Sequence, residues 1–449
     1  MIVYNHTMRG EQEERGVSMK TYQEMSKEEL QATYAELQKQ FEVEKAKGLQ
    51  LDMSRGKPCS EQLDTVMPMM DVLTSKDLLQ SEDGYDCRNY GTLYGIMEAR
   101  QLIGDMIGAK AEQVIVMGNA SLNIMFDTVE RSMTQGVCGG IPWARLDRVK
   151  FLCPAPGYDR HFKICQYFGI EMITIPMHED GPDMDLVEKY VSSDPAVKGI
   201  WCVPKYSNPQ GYTYSDETVR RFANLKPAAG DFRIYWDNAY CIHDLYEDRS
   251  DSLLNILTEC EKAGNPNLVF EFCSTSKISF AGAGIAAVAT SKENLEWIRQ
   301  GMTIQTIGYD KINQLRHVKY YKNIDGIKEQ MKKHAASMRP KFEAVKEVLE
   351  RELAPLGIGT WTNPNGGYFI SFESLPGCAK KIVAKCKEAG VILTDAGATF
   401  PYGVDPMDTN IRIAPSYPTA EEMAQATDLF VLCVKLVSVE KLLKKAMAA

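Results

Sequence analysis

Between residues 199 and 277 the chain reads Gly-Ile-Trp-Cys-Val (199–203), Ser-Asn-Pro-Gln-Gly (207–211), Arg-Ile-Tyr-Trp (233–236), Asp-Asn-Ala-Tyr (237–240), Leu-Val-Phe-Glu-Phe (268–272) and Ser-Thr-Ser-Lys (274–277). Three short apolar runs are each followed by a polar segment, and helical patterns lie between them. Similar runs stand upstream: Gln-Val-Ile-Val-Met (113–117), Lys-Phe-Leu-Cys (150–153) and Glu-Met-Ile-Thr-Ile (171–175). Strands that read as near-continuous apolar runs are buried on both faces, and their alternation with helices predicts βα units around a mostly parallel sheet. Spacing does not set the strand order.

Outside this region the pattern changes. Residues 1–18 are polar and aperiodic, which predicts a loose N-terminal tail. Ser26 with Glu29 forms a capping-box pattern, so a helix is expected from there to about Lys47, ending at Gly48. A charged amphipathic stretch at 325–353 is interrupted by Pro340. After it, Gly-Gly-Tyr-Phe-Ile-Ser-Phe (366–372), a helical stretch near 378–389, Ile-Arg-Ile-Ala (411–414) and a helix opened by Thr419 with Glu422 read as a smaller α+β unit. The expected organisation is a large α/β domain over 60–325 and a small discontinuous domain made of 19–59 with 326–449. A chain of 449 residues suits two such units better than one core.

Composition narrows the function classes. A formal charge of −9 argues against nucleic acid or an anionic membrane as the main partner. No apolar run approaches membrane-spanning length and the N-terminus lacks a signal-like apolar segment, so a cytoplasmic protein is expected. The 12 cysteines are scattered without a Cys-x-x-Cys pair, as reduced thiols would be, and the 6 histidines show no metal-ligand spacing, so no metal is expected.

Ligands of open α/β sheets collect at the carboxyl ends of strands, where the polar segments above fall. Gly118-Asn119-Ala120-Ser121 would present free helix amides to a phosphate, although the same turn serves any strand-to-helix connection. Tyr158, in Pro-Gly-Tyr (156–158), could lie on a planar ring or simply pack. Asn208 could donate to a phenolic oxygen or mark an Asn-Pro turn. Asp237 ends a buried strand and needs a cationic neighbour, either a pyridinium nitrogen or a lysine or arginine. Tyr240 could reach the oxygen of the same ring. Lys277, flanked by hydroxyls and forty residues beyond Asp237, supplies the amine. Schiff-base lysine, ring-nitrogen acid and oxygen donors together are what pyridoxal 5′-phosphate requires. Gly282-Ala283-Gly284-Ile285-Ala286-Ala287 also satisfies a dinucleotide fingerprint, but it follows a turn instead of a strand and no acid ends a second strand about 20 residues later.

In this order, Gly-Asn-Ala-Ser, Tyr158, Asn208-Pro209, Asp237-x-x-Tyr240, Ser274-x-Ser276-Lys277 and Arg412 resemble the class I aminotransferases of the fold type I pyridoxal phosphate enzymes, from about residue 50 to the C-terminus. The resemblance implies that Lys277 carries the cofactor, Asp237 pairs with its ring nitrogen, Asn208 and Tyr240 hold its phenolic oxygen, and Tyr158 stacks on it. Arg412 would clamp the substrate α-carboxylate. Tyr90 resembles the tyrosine that reaches the phosphate of the neighbouring subunit, which implies a homodimer with shared active sites. Gly56, in Ser-Arg-Gly-Lys-Pro, resembles the glycine of a segment that closes over substrate.

Two departures stand out. The family's phosphate-binding arginine, eight residues after the lysine, is here Ile285, so the phosphate would rest on Asn119, Ala120, Ser121, Ser274, Ser276 and Tyr90, or on a cation that the sequence does not place. No arginine clearly corresponds to the one that reads a side-chain carboxylate; Arg55, Lys311 and Arg316 are candidates on charge alone. With these departures the chain most resembles a divergent bacterial aspartate aminotransferase group related to MocR-type aminotransferase domains. With only about 50 residues before the first matching segment, a winged-helix regulator is not expected. The implied reaction is ping-pong transfer of an amino group between an amino acid and a 2-oxo acid, aspartate and 2-oxoglutarate first. A β-lyase or decarboxylase on the same scaffold, a non-catalytic cofactor-binding protein and a nicotinamide dehydrogenase are the rival readings.

Overall fold

Ser26 opens the first helix of the computed structural model, which describes residues 20–448; the expected tail at 1–18 lies outside the described residues. The Ser26 hydroxyl accepts from the Glu29 amide and the Glu29 carboxylate accepts from the Ser26 amide, so the capping box forms as the sequence predicts. The helix Lys27–Ala46 presents Leu30, Leu37 and Phe41 inward and packs along the C-terminal helix Ala420–Ala448. Beyond it, strand β1 (Leu51–Asp52) runs parallel to a late strand, Val391–Ile392.

The central sheet holds β2 (Val114–Met117), β3 (Lys150–Ala155), β4 (Glu171–His178), β5 (Gly181–Pro182), β6 (Val197–Cys202), β7 (Arg233–Asp237), β8 (Val269–Ser274) and β9 (Ala286–Ala289). Their order is β2-β9-β8-β7-β6-β3-β4-β5. The four inner pairings from β8 to β4 are parallel, while β9 runs antiparallel to both neighbours and β5 closes the edge antiparallel to β4. The six expected apolar runs all lie in strands, and the mostly parallel α/β fold stands. Two flips around β9 leave β2 aligned with the parallel strands, so its carboxyl end opens on the same edge as theirs. β9 was not legible in the sequence because small alanines carry it. Its glycine-rich approach leads into this strand, not into the helix that a dinucleotide fingerprint opens.

A second sheet is built from β10 (Gly359–Trp361), β11 (Ile370–Ser374) and, after β12 (Val391–Ile392), β13 (Asn410–Ile413), in the order β10-β11-β13 and all antiparallel. The stretch expected to be interrupted at Pro340 is one continuous helix, Ile324–Glu352. Proline removes one backbone bond and costs about 3 kcal/mol in a helix interior. Here Met338, Phe342 and Val345 are buried on one face, Arg339 Nε donates to the Leu245 carbonyl at 2.9 Å and Lys341 Nζ donates to the Ser416 carbonyl at 3.2 Å. Tertiary contacts on both sides of the proline hold the helix through it.

The 12 cysteines are free, and all but Cys138 and Cys241 are buried. No described helix is long and apolar enough to cross a membrane.

Candidate active site

At the carboxyl edge of the central sheet a cavity of about 380 Å³ brings together Lys277, Asp237, Tyr240, Asn208, Tyr158, Ser121, Arg412, Gly56 and Arg55. These residues come from segments spread over more than 350 positions. The sheet gathers most of them: β7 ends at Asp237, β8 leads to Lys277, β6 leads to Asn208, and β2 delivers the helix that starts at Ser121.

Asp237 is 3% exposed. His161 donates from Nε2 to its Oδ2 at 3.0 Å, and the imidazole is stacked on Trp201 with ring centroids 4.4 Å apart. The sequence pointed to a lysine, an arginine or a ring nitrogen beside this carboxylate; the protein partner is a histidine 76 residues away. Oδ1 is buried and finds no partner. An unsatisfied buried carboxylate oxygen is costly, so a donor bound in the cavity is the natural complement. A protonated pyridine nitrogen has that chemistry.

Lys277 Nζ lies 4.9 Å from the Tyr240 ring and 5.9 Å from the Tyr368 ring. Burial lowers its pKa below the ordinary lysine value, and the charge of Asp237 opposes part of that shift. The Tyr240 phenol is pushed well up, first by burial and then by the nearby Tyr158 and Asp237 oxygens, so it stays a hydroxyl donor at neutral pH. Tyr158 is raised to about 12, first by burial and then by the charges of Asp237 and Asp159.

Arg412, on β13, is tied to four segments. It donates to Thr394 Oγ1 at 2.9 Å, Asn208 Oδ1 at 3.2 Å and the Ser54 carbonyl at 3.3 Å, and Asp159 Oδ1 lies 3.5 Å away. Its Nε is buried without a partner. The Phe369 ring faces the guanidinium at 4.8 Å. A Cβ on Gly56 would stand 2.2 Å from that ring, which is why only glycine lets the 54–56 segment approach so closely. Because Asn208 Oδ1 accepts from Arg412, its Nδ2 is left as a donor.

Of the expected phosphate donors, Ser121 lines the cavity, and Ser274, Ser276 and Asn119 are linked to one another beside Lys277. The helix Ser121–Gln135 begins after Ala120, whose side chain provides no cap, so its first amides have no side-chain acceptor. Ser274 Oγ donates to Ser276 Oγ at 3.1 Å, Ser276 Oγ donates to the Asn119 carbonyl at 3.2 Å, and Asn119 Nδ2 donates to the Gly282 carbonyl at 3.3 Å. Asn119, Ala120, Ser274 and Ser276 do not line the cavity itself, nor does Tyr90, which is 74% exposed. Ile285 is buried, and its amide donates to Thr275 Oγ1 at 2.9 Å, bracing the turn before Lys277. The oxygen of an anion at the helix start would meet amides and hydroxyls, a neutral cradle.

Of the three cations considered for a side-chain carboxylate, only Arg55 lines the cavity. Lys311 is buried with its Nζ on the Tyr309 carbonyl, and Arg316 donates to Asn313 Oδ1. Neither lines the cavity, although Arg316 Nε is buried without a partner. Sequence reasoning missed His161, Asp159, Arg160, Ser54, Thr394 and Phe369. The helix start after Tyr158 was a usable signal for Asp159, Arg160 and His161; Thr394 had none that was local.

Known proteins resemble this chain over most of its length. Residues 25–446 match the protein family described as aspartate amino-transferase. An aspartate aminotransferase of Corynebacterium glutamicum is 44% identical over 425 residues, covering 94% of this chain and 98% of that one. A putative aminotransferase of Mycolicibacterium smegmatis is 43% identical over 425 residues, covering 94% of this chain and 99% of that one. The crystal structure of an aspartate transaminase from Corynebacterium glutamicum superposes with a TM-score of 0.92 at 44% identity, covering 95% of this chain and 100% of that one. At 20% identity, the α-aminoadipate aminotransferase of Thermus thermophilus, solved with N-(5′-phosphopyridoxyl)-L-leucine, shares the fold with a TM-score of 0.68 over 91% of this chain and 95% of that one.

Proposed function

The chain belongs to the aspartate amino-transferase family and is an aminotransferase, and we propose that it works with pyridoxal 5′-phosphate, taking aspartate as donor and 2-oxoglutarate as acceptor in a ping-pong cycle. The observation that carries the cofactor reading is the orphaned Oδ1 of Asp237 in the same cavity as a pKa-lowered lysine. When bound, the cofactor supplies an electron sink conjugated with the substrate α-carbon.

Each residue then has a physical task. Lys277 Nζ would hold the cofactor and would serve as the base that moves the proton of the substrate α-carbon, a task that a lowered pKa suits. Asp237 Oδ1 holds the proton of the ring nitrogen, and His161 keeps the carboxylate turned toward the cavity. Asn208 Nδ2 and the Tyr240 hydroxyl would donate to the phenolic oxygen, and Tyr158 would pack against the ring. The amides after Asn119 and Ala120, with Ser121, Ser274, Ser276 and the Tyr90 hydroxyl of a neighbouring copy, would hold the phosphate. Arg412 binds the α-carboxylate bidentately, while Gly56 and Arg55 belong to the segment over the substrate. The proposal includes a homodimer, a cytoplasmic location, a cofactor domain over 60–325 and a small domain made of 19–59 with 326–449.

The test is spectroscopic. Purified protein with added pyridoxal phosphate should gain a visible band that shifts when aspartate is added, and 2-oxoglutarate should restore it. In Lys277→Ala the band should be lost and turnover should fall about 10²- to 10⁴-fold. Protein that takes up no cofactor, or a variant that turns over normally, sinks the reading.

A further inference from the structure

Four cations line the cavity: Lys277, Arg412, Arg55 and Arg160. The first two are accounted for. Arg55 is 68% exposed and already faces Asp52, with Nε 3.7 Å from Oδ2. Arg160 differs from all three. It is exposed, and among the described residues it makes no hydrogen bond or ion pair. The one carboxylate beside it in sequence, Asp159, is turned to Arg412 instead.

Its position makes the residue type harder to explain as packing or as helix support. Arg160 is the second residue of the helix Asp159–Tyr167. A cation in the first turn opposes the helix dipole, where an acid such as Asp159 is favoured. A locally disfavoured charge with no partner on the protein, facing a cavity, is the pattern left when the partner is a ligand. Asp159 lies 3.5 Å from Arg412, and Arg160, the next residue, lines the same cavity as both.

We propose that Arg160 is a specificity-determining residue that pairs with the second carboxylate of a dicarboxylic amino or 2-oxo acid whose first carboxylate sits on Arg412. This rests on the role of Arg412 in the transaminase reading. It explains how a site lacking the family's side-chain arginine can prefer diacids, and it places that preference on a residue that takes no part in proton transfer.

The experiment uses holoprotein and two unreactive acids, succinate with two carboxylates and propionate with one, titrated calorimetrically, alongside the ratio of kcat/KM for aspartate over alanine. In Arg160→Gln the succinate-to-propionate affinity ratio and the aspartate-to-alanine ratio should both fall about 30-fold, in line with loss of a charge-assisted hydrogen bond. Arg160→Lys should recover part of each ratio, since it keeps the charge and loses the fork. Unchanged ratios in Arg160→Gln, or an equal fall produced by Arg55→Gln in its place, overturn the assignment. The two readings fail separately: a protein without transaminase activity whose succinate affinity still depends on Arg160 removes the first only, and an Arg160→Gln enzyme with wild-type diacid preference removes the second only.

Discussion

Asp237 and Arg160 line the same cavity under opposite conditions. Asp237 is 3% exposed at the end of a strand paired on both sides, with one oxygen fixed by a histidine that is itself stacked on Trp201. Arg160 is exposed in the first turn of a helix, with no partner among the described residues. A side chain locked by packing delivers its charge to one place without reorganisation, as chemistry at a ring nitrogen needs. A free arginine must be ordered by what binds it and gives up side-chain entropy when that happens. The floor of the cavity is therefore built for one reaction, while its rim can be retuned for different substrates without disturbing the core.

Substitutions can break or sharpen this contrast. The largest effect is expected at the floor. Asp237→Ala should lower kcat/KM for aspartate by about 10³-fold, as losses of preorganised charge do, with a weakened cofactor band; a loss of tenfold or less, measured in steady state with saturating cofactor, would put Asp237 on a par with the rim.

Next is Glu271, a second carboxylate under the same sheet. It is 1% exposed on β8, accepts from Asn238 Nδ2 at 2.9 Å and leaves Oε2 unpartnered; burial raises its pKa from 4.5 to about 7. A raised carboxyl pKa means that the folded state holds more protons than the unfolded state between about pH 4.5 and 7, so stability falls as pH rises through that window. The drop is about 3 kcal/mol at most, from 1.36 kcal/mol per pKa unit. Glu271→Gln, which keeps the acceptor toward Asn238, should be more stable than the parent at pH 8 and indistinguishable near pH 4.5. Denaturant unfolding at the two pH values reads this directly, and parallel pH profiles for parent and variant would refute it.

The smallest effect belongs to the rim. Asp159 lies 3.5 Å from Arg412 with 27% of its side chain exposed, so its attraction is partly screened. Asp159→Asn removes a competitor for the α-carboxylate and should lower KM for amino donors about two- to fivefold with kcat little moved. The gain should shrink at high salt. A rise in KM would mean that Asp159 positions Arg412 instead of competing for it.

How much of this was legible beforehand differs by element. The inner strands could be read because burial on both faces demands unbroken apolar runs, which is a local property of the chain. β9 could not, since its four small residues, Ala286–Ala289, satisfy the same burial without an apolar signature. Pro340 read as a break because local propensity is all that a sequence window contains, whereas buried contacts on either side of it carry the helix. Lys311 and Arg316 had the right charge for a substrate site but lie outside the cavity, beside neighbours that no spacing rule identifies. His161 was passed over as one of 6 histidines, because its value lies in a contact with a strand 76 residues away.

By itself the sequence determined the alternating α/β plan, the segments that must end at one edge of the sheet, and the residue types of the floor: an amine at 277, an acid at 237, an amide at 208 and a phenol at 240. Those follow from periodicity and side-chain chemistry, which travel with the chain. Only the tertiary structure decided which oxygen of Asp237 is left free, which segments share Arg412, and which of several arginines reaches the cavity without a partner. Such facts depend on strand register and on packing between distant segments, and neither is encoded at any single position.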